Sequence, residues 1–377
     1  MFDELIEEVD SQEFQQVLKG FGYGGLLMQV GNCKYLPINS TLLDQETGAP
    51  VDENDSASAG KIVSYYYRFK RSLAEDMQNS ALIISHGGSG SILEALQFHK
   101  PIVCVTNSRL MHNHQVELAE RLSTSPYNYL LPCDPSTLQT VIKQDLKGYL
   151  TNRQELDEHV VVKSLADFGK RFQQEVSFTR HHSNKKDDDD RPTTRPKSNK
   201  TMVVLGSGGH TAEMFYLLKH IHGDYNRLSY VLADSDKRSY DKIVEFEQTS
   251  AASSYSVHQI PRSRNVGQSY FFSIFTTIYA FFYCLLLVFR DKPDIVICNG
   301  PGTCVPIVIA AVLFRFLRIH ACKIVYIESI ARVQHLSLSG KILQYVANWM
   351  IVQWPSLIPE YNDSKSNNKP SSSSLKK

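Results

Sequence analysis

Two glycine-rich stretches and two polar strand ends hold most of the residues equipped for chemistry. The first stretch, Ser85-His86-Gly87-Gly88-Ser89-Gly90-Ser91, lies between the apolar run Ala81–Ile84 and a helical pattern carrying Ile92, Leu93 and Leu96. A strand, a glycine turn and a helix start in that order make an anion site. The glycines let backbone N–H groups approach a phosphate, and the helix terminus adds roughly half a positive charge. Glu94, one turn into the helix on its polar side, offers carboxylate oxygens to ribose hydroxyls. The second stretch, Gly206-Ser207-Gly208-Gly209-His210-Thr211, sits between a strand at Met202–Leu205 and a helix at Ala212–His220. Asn299-Gly300-Pro301-Gly302 and Glu328-Ser329 also fall where strands end. Three such ends converging at the carboxyl edge of one parallel sheet point to a ligand more strongly than any one of them.

Several chemistries are disfavoured by the same residues. Neither glycine loop is followed by the Gly-Lys-Ser/Thr of a phosphate-binding P-loop. Thr211 stands where a third glycine would complete a dinucleotide fingerprint. A formal net charge of +1 implies no strongly basic face, so nucleic acid is not expected as the partner. The seven cysteines lack metal-ligand spacing and several lie in apolar runs, as expected of reduced, buried thiols in the cytosol. The run Asp187–Asp190 lies among Lys185, Lys186, Pro192 and Pro196, which makes it a solvated spacer rather than a metal site. The acidic start Phe2-Asp3-Glu4 is not a signal peptide.

The elements that must position these residues form two similar α/β halves. Residues 2–19 carry the apolar face of one amphipathic helix. Strands follow at Gly24–Val30, Ile62–Phe69, Ala81–Ile84 and Pro101–Val105, with a polar, solvated excursion over 36–60. Further helices are expected at 136–148 and 154–174. In the second half, strands at Met202–Leu205, Leu228–Leu232, Ser256–Ile260, Asp294–Cys298, Lys323–Ile327 and Trp349–Gln353 alternate with helical patterns, the grammar of a doubly wound parallel sheet. The expected domains are 1–177, a linker at 178–200, a second domain at 201–360, and a disordered tail at 361–377. Residues 266–289 carry no charge and are dense in Phe and Leu, long enough to span a bilayer. A span would put two strands of one sheet on opposite sides of the membrane. An interfacial helix, flanked by Arg262, Arg264, Arg290 and Lys292, and a buried core helix are the other readings.

The motifs have a specific resemblance. Leu205–Met214, Asn299–Cys304 and Tyr326–Arg332 resemble the membrane-anchor subunit of the dolichol-pathway UDP-GlcNAc transferase. Tyr66–Lys70, Ile84–Ser91 and Asn113-His114-Gln115 resemble its catalytic partner. The chain is therefore similar to a fusion of the two. The resemblance implies a GT-B-type glycosyltransferase: two Rossmann-like, doubly wound halves facing a cleft, with UDP-GlcNAc on the first and dolichyl-diphosphate-GlcNAc on the second. The implied product is a β1-4 linked dolichyl-diphosphate-chitobiose, formed with inversion at the cytosolic face of the endoplasmic reticulum membrane. His86 and Gly87–Ser91 would hold the donor diphosphate, Glu94 the ribose, and Asn113 and Gln115 the sugar. Gly206, Ser207, Gly208, Gly209, Asn299, Gly300 and Gly302 would line the acceptor site. His210 is the candidate base, with Glu328 a second candidate for orienting or deprotonating the acceptor. Local roles stay open: His86 could cap its turn, Asn113 and Gln115 could be polar residues of a helix N-terminus, His210 could cap its helix or contact the acceptor diphosphate, and Asn299 could brace its own loop. No cofactor or metal is implied, and cation stimulation is left open.

Two departures accompany the match. The family's donor half begins with a strand and a Gly/Thr-rich loop, and here Met1 leads directly into Phe2-Asp3. The family's anchor half usually has a transmembrane helix ahead of its first strand, where this chain has its linker. A non-catalytic membrane scaffold that recruits a separate donor subunit is the competing expectation, and a soluble sugar-nucleotide epimerase a weaker third. A cytosolic assignment also requires the sequons at Asn39 and Asn362 to remain unglycosylated.

Overall fold

The computed structural model describes residues 2–44, 49–51, 62–70, 72–107, 114–154, 200–221, 227–250, 254–263, 270–300, 302–358 and 374–376. The expected linker and the helix at 154–174 lie almost wholly outside the described residues. The chain divides into two compact units, Met1–Leu156 and Asp157–Lys377.

In the first unit the expected single helix is two, α1 (Asp3–Asp10) and α2 (Gln12–Gly20). Ser11 between them is extended, and its hydroxyl accepts a hydrogen bond from Phe14 N at 3.2 Å, capping α2. Leu5, Ile6, Val9, Phe14 and Leu18 still share one apolar core, so the break does not disturb the buried face. Asp10 is fully buried and accepts from Tyr35 Oη at 2.9 Å, Ile38 N at 2.8 Å and Ser40 Oγ at 2.7 Å. It thereby ties down the start of the segment expected to be a solvated excursion.

The strands β1 (Gly25–Gln29), β2 (Thr41–Leu42) and β3 (Val63–Tyr67) form one parallel sheet in the order β1-β3-β2. Strands β4 (Ile83–His86), β5 (Ile102–Val105) and β6 (Leu131–Cys133) form a second parallel sheet, in the order β4-β5-β6. Residues of both sheets, including Met28, Tyr66, Val103 and Val105, enter the same core as α1 and α2. Helices α3 (Ala74–Asn79), α4 (Ser89–Gln97), α5 (His114–Ser123), α6 (Leu138–Gln144) and α7 (Leu146–Asn152) connect or cover the strands.

The second unit is built on one seven-stranded sheet. Its strands are β7 (Lys200–Val204), β8 (Arg227–Ala233), β9 (Tyr255–Ile260), β10 (Ile295–Asn299), β11 (Lys323–Ile327), β12 (Trp349–Ile351) and β13 (Ser374–Lys376), in the order β13-β12-β11-β10-β7-β8-β9. All pairs are parallel except β12 with β13. Strand β13 thus gives structure to three residues of the expected tail, where the backbone of β12 offers an open edge. The central strands are buried along almost their whole length, which is why they read as continuous apolar runs. The intervening helices are α8 (Gly209–Ile221), α9 (Lys237–Ser250), α10 (Tyr270–Asp291), α11 (Cys304–Phe316) and α12 (Leu338–Leu343). From β7 the winding goes outward through β8 and β9, then restarts on the other side at β10. The reversal creates a crevice beyond the carboxyl ends of β7 and β10, where such sheets bind ligands.

All seven cysteines are free and buried, as their apolar settings imply. Burial pushes the thiols of Cys104 and Cys284 up to about 12, far from the reactive thiolate range.

Candidate active site

In the first unit, β4 delivers His86 to the mouth of the glycine turn. Gly87 N donates to Val105 O at 3.2 Å, and Gly88 N donates to His86 O. These two N–H groups are therefore used by the protein, and the glycines shape the turn. The donors left to face an anion are those of Ser89, Gly90 and Ser91 at the start of α4, whose N-cap Gly88 supplies no side chain to cap them. A side chain at Gly88 would stand 2.8 Å from His86 Nε2, so the imidazole lies directly over the turn. The ring is solvent-accessible yet crowded by surrounding protein, and desolvation lowers its pKa below the ordinary 6.5. It is thus a neutral donor or acceptor at neutral pH.

Gln115, at the start of α5, comes against the same turn. A Cβ at Gly87 would meet its Cβ at 3.1 Å, and its buried Oε1 has no hydrogen-bond partner among the described residues. A buried carbonyl without a donor is costly unless something supplies one. Glu94 is half-buried on α4. Asn113 lies outside the described residues.

In the second unit the three strand ends meet as expected at the switch between β7 and β10. His210 Nδ1 lies 3.0 Å from Asn299 Oδ1. Asn299 Nδ2 donates to Glu213 Oε2 at 3.0 Å, and Ser329 Oγ donates to Glu213 Oε1 at 2.8 Å. One buried chain of hydrogen bonds therefore links the ends of β7, β10 and β11. Gly300 has φ of +93°, a left-handed conformation, and a side chain there would collide with the His210 ring. In the loop after β7, Gly208 is also left-handed, with φ of +67°, and Thr211 Oγ1 donates to Gly206 O. Arg262 Nη2 donates to Ser207 Oγ at 3.4 Å.

Residues 201–368 match the family described as oligosaccharide biosynthesis protein Alg14 like, and residues 1–172 match the glycosyltransferase family 28 C-terminal domain. Over 177 residues the chain is 48% identical to the UDP-N-acetylglucosamine transferase subunit ALG14 of Rattus norvegicus, covering 45% of this chain and 82% of the rat protein. The Homo sapiens ALG14 subunit is 46% identical over 175 residues, covering 45% of this chain and 81% of its own length. The chain belongs to the Alg14 family. That of Yarrowia lipolytica is 42% identical over 172 residues, covering 44% of this chain and 80% of its own length. An Alg14 domain thus follows a glycosyltransferase family 28 domain in one polypeptide, and the chain is a glycosyltransferase of two Rossmann-like halves.

Within the Alg14 domain two of the assigned residues are engaged by the protein itself. Asn299 was expected to touch the acceptor, but it is 2% exposed and its amide is engaged at both ends by His210 and Glu213. Glu328 was a candidate for orienting or deprotonating the acceptor, but it is fully buried. Its carboxylate accepts from Ser329 N at 3.2 Å, Ser337 N at 3.0 Å and Ser337 Oγ at 3.0 Å. It braces the 329–337 loop instead. Glu213 and Arg262 were not expected at the site. Nothing in the spacing of Glu213 separates it from any polar residue one turn into a helix, and Arg262 reads equally well as a flank of the apolar helix.

That helix, α10, is a surface element of its unit. Ala280, Cys284 and Val288 form its buried stripe, and it packs chiefly on α11. The opposite face exposes Ile274, Phe275, Ile278, Phe282 and Leu286. A window of 18 residues, Ile274–Asp291, is apolar enough to cross a membrane, and only 17% of it is buried within the unit. Among the described residues it is a surface helix of the unit, neither a core helix nor one detached from the sheet.

Proposed function

We propose that the chain transfers GlcNAc from UDP-GlcNAc to dolichyl-diphosphate-GlcNAc, with inversion and formation of a β1-4 linkage. The carrying observation is the union in one chain of a glycosyltransferase family 28 domain, with an uncapped helix terminus at its glycine turn, and an Alg14 domain. In this reading the N–H groups of Ser89, Gly90 and Ser91 bind the donor diphosphate, and His86 adds a neutral hydrogen bond. Glu94 holds the ribose. Gln115 Oε1 takes a hydrogen bond from a sugar hydroxyl, which would satisfy its buried carbonyl. The acceptor diphosphate lies at the second glycine loop, Gly206–Gly209 with Gly302, beside the Arg262 guanidinium.

The acceptor hydroxyl attacks the anomeric carbon while the bond from that carbon to the UDP oxygen breaks. The electron pair leaves on UDP, where the α4 terminus stabilises the developing charge, and the hydroxyl proton passes to His210 Nε2. The exposed face of α10 lies in the interface of the endoplasmic reticulum membrane, on its cytosolic side, where a dolichol-linked acceptor is presented.

Incubating the full chain with labelled UDP-GlcNAc and a lipid-diphosphate-GlcNAc acceptor tests this reading. The expected product is a lipid-linked disaccharide. A scaffold without catalysis is the competing reading, favoured by the division of the donor unit's strands between two sheets. Failure to bind UDP-GlcNAc and to form product would establish the scaffold and overturn the transferase.

A further inference from the structure

Glu213 lies three residues after His210 on α8, so the two side chains share one face of the helix. It is 8% exposed, and both of its carboxylate oxygens receive hydrogen bonds. Ser329 Oγ accepts from Ala331 N at 3.2 Å and donates its own O–H to Glu213 Oε1. A carboxylate can only accept, so it compels Asn299 to turn its NH2 group inward. The carbonyl of Asn299 then faces His210 Nδ1 and has no proton to give. The hydrogen between them must sit on His210 Nδ1, which leaves the lone pair on Nε2.

We propose that Glu213 is a positioning residue that sets the tautomer of His210 through Asn299. The inference rests on the reading of His210 as the base given above. Nε2 is the nitrogen that receives the acceptor proton, and after transfer the imidazolium keeps its Nδ1–H on Asn299, with the Glu213 charge one residue further along the chain of hydrogen bonds. Gly300 completes the device by admitting the ring where a side chain would collide with it. A purely structural link could be made with glutamine at position 213. Glutamine, however, can donate to the Asn299 carbonyl, which lets the asparagine amide reverse and present its NH2 to His210. The proton would then move to Nε2, and the base would be lost. A carboxylate admits only one polarity.

Nitrogen-15 NMR of the full chain reads the tautomer directly, with the His210 signals assigned by their loss in His210→Ala. The parent chain is expected to show the Nδ1-protonated neutral form. Glu213→Gln is expected to shift His210 toward the Nε2-protonated form and to lower turnover by ~10²-fold with an unchanged KM for the donor. In the double variant Glu213→Gln plus Asn299→Asp the amide and the carboxylate trade places, and the Nδ1-protonated form should return. An Nε2-protonated histidine in the parent chain overturns the proposal without any variant. So does an unchanged tautomer in Glu213→Gln, or a double variant no different from the single. If the parent transfers no sugar but the tautomer follows this pattern, the relay stands and the transferase reading falls.

Discussion

At the carboxyl end of β11, Glu328 illustrates how strongly burial decides the role of a single residue. Four N–H or O–H groups, from Ser329 N, Ser337 N, Ser337 Oγ and Tyr326 Oη, are directed at its carboxylate, and none of it reaches solvent. Glu328→Gln puts an NH2 group opposite one of those donors and should destabilise the chain by about 1–3 kcal/mol, the cost of leaving buried groups unpaired. Thermal unfolding measures this. The effect has a definite pH dependence. Desolvation raises the Glu328 carboxyl above its ordinary 4.5. A carboxyl raised in the folded state contributes stability that is complete below the unfolded value and is lost as pH rises through the folded one. The parent chain therefore loses this contribution as pH climbs above 4.5, whereas Glu328→Gln has no such group to titrate. The stability gap between them should narrow toward neutral pH; a gap that widens would mean the carboxylate, not the acid, is the form the fold prefers.

At the scale of elements, the two glycine loops act by different means. The loop before α4 leaves a helix terminus open, whereas the loop before α8 orders a histidine against Gly300. Gly300→Ala should therefore displace the imidazole and reduce turnover by at least ~10-fold while leaving binding of UDP-GlcNAc, which the proposed reading assigns to the other unit, unchanged. Steady-state kinetics beside donor titration separates these effects, and equal loss in both would show that the substitution unfolds the chain instead. Helix α10 makes a second prediction. Phe275, Phe282 and Leu286 are 60%, 60% and 72% exposed, so replacing all three with Glu should leave thermal stability nearly unchanged. Flotation with anionic vesicles should fall by ~10²-fold, because the apolar surface proposed to enter the interface is gone. Unaltered flotation would remove α10 from the membrane contact.

Much of this was legible in the residues because parallel strands are buried on both faces and announce themselves as apolar runs, with ligand loops at their ends. The glycine turns, the approach of His210 to the strand ends and the alternation of β7 to β12 all follow from that grammar. The break at Ser11 was not legible, since the apolar positions keep a helical rhythm across one extended residue. Nor was the hydrogen-bond chain through Asn299 and Glu213. It joins residues 86 and 116 positions apart, and only the winding of the sheet brings them together.

For the whole molecule, the proposed reading divides the work between the family 28 domain, which takes the donor, and the Alg14 domain, which takes the acceptor. The Asn39 side chain, part of a sequon, donates to Asp10 O at 2.9 Å and accepts from Gln12 at 3.2 Å, so its amide is already committed in the fold. The measurement that tests the division most directly is steady-state GlcNAc transfer by the full chain, compared in His210→Ala and Glu94→Ala. His210→Ala should lower turnover by ~10²–10⁴-fold with little change in the donor KM. Glu94→Ala should raise the donor KM by ~10-fold through the loss of its ribose hydrogen bonds, with turnover less affected. The opposite pattern, with donor affinity lost in His210→Ala and turnover lost in Glu94→Ala, would contradict the assignment of the two halves.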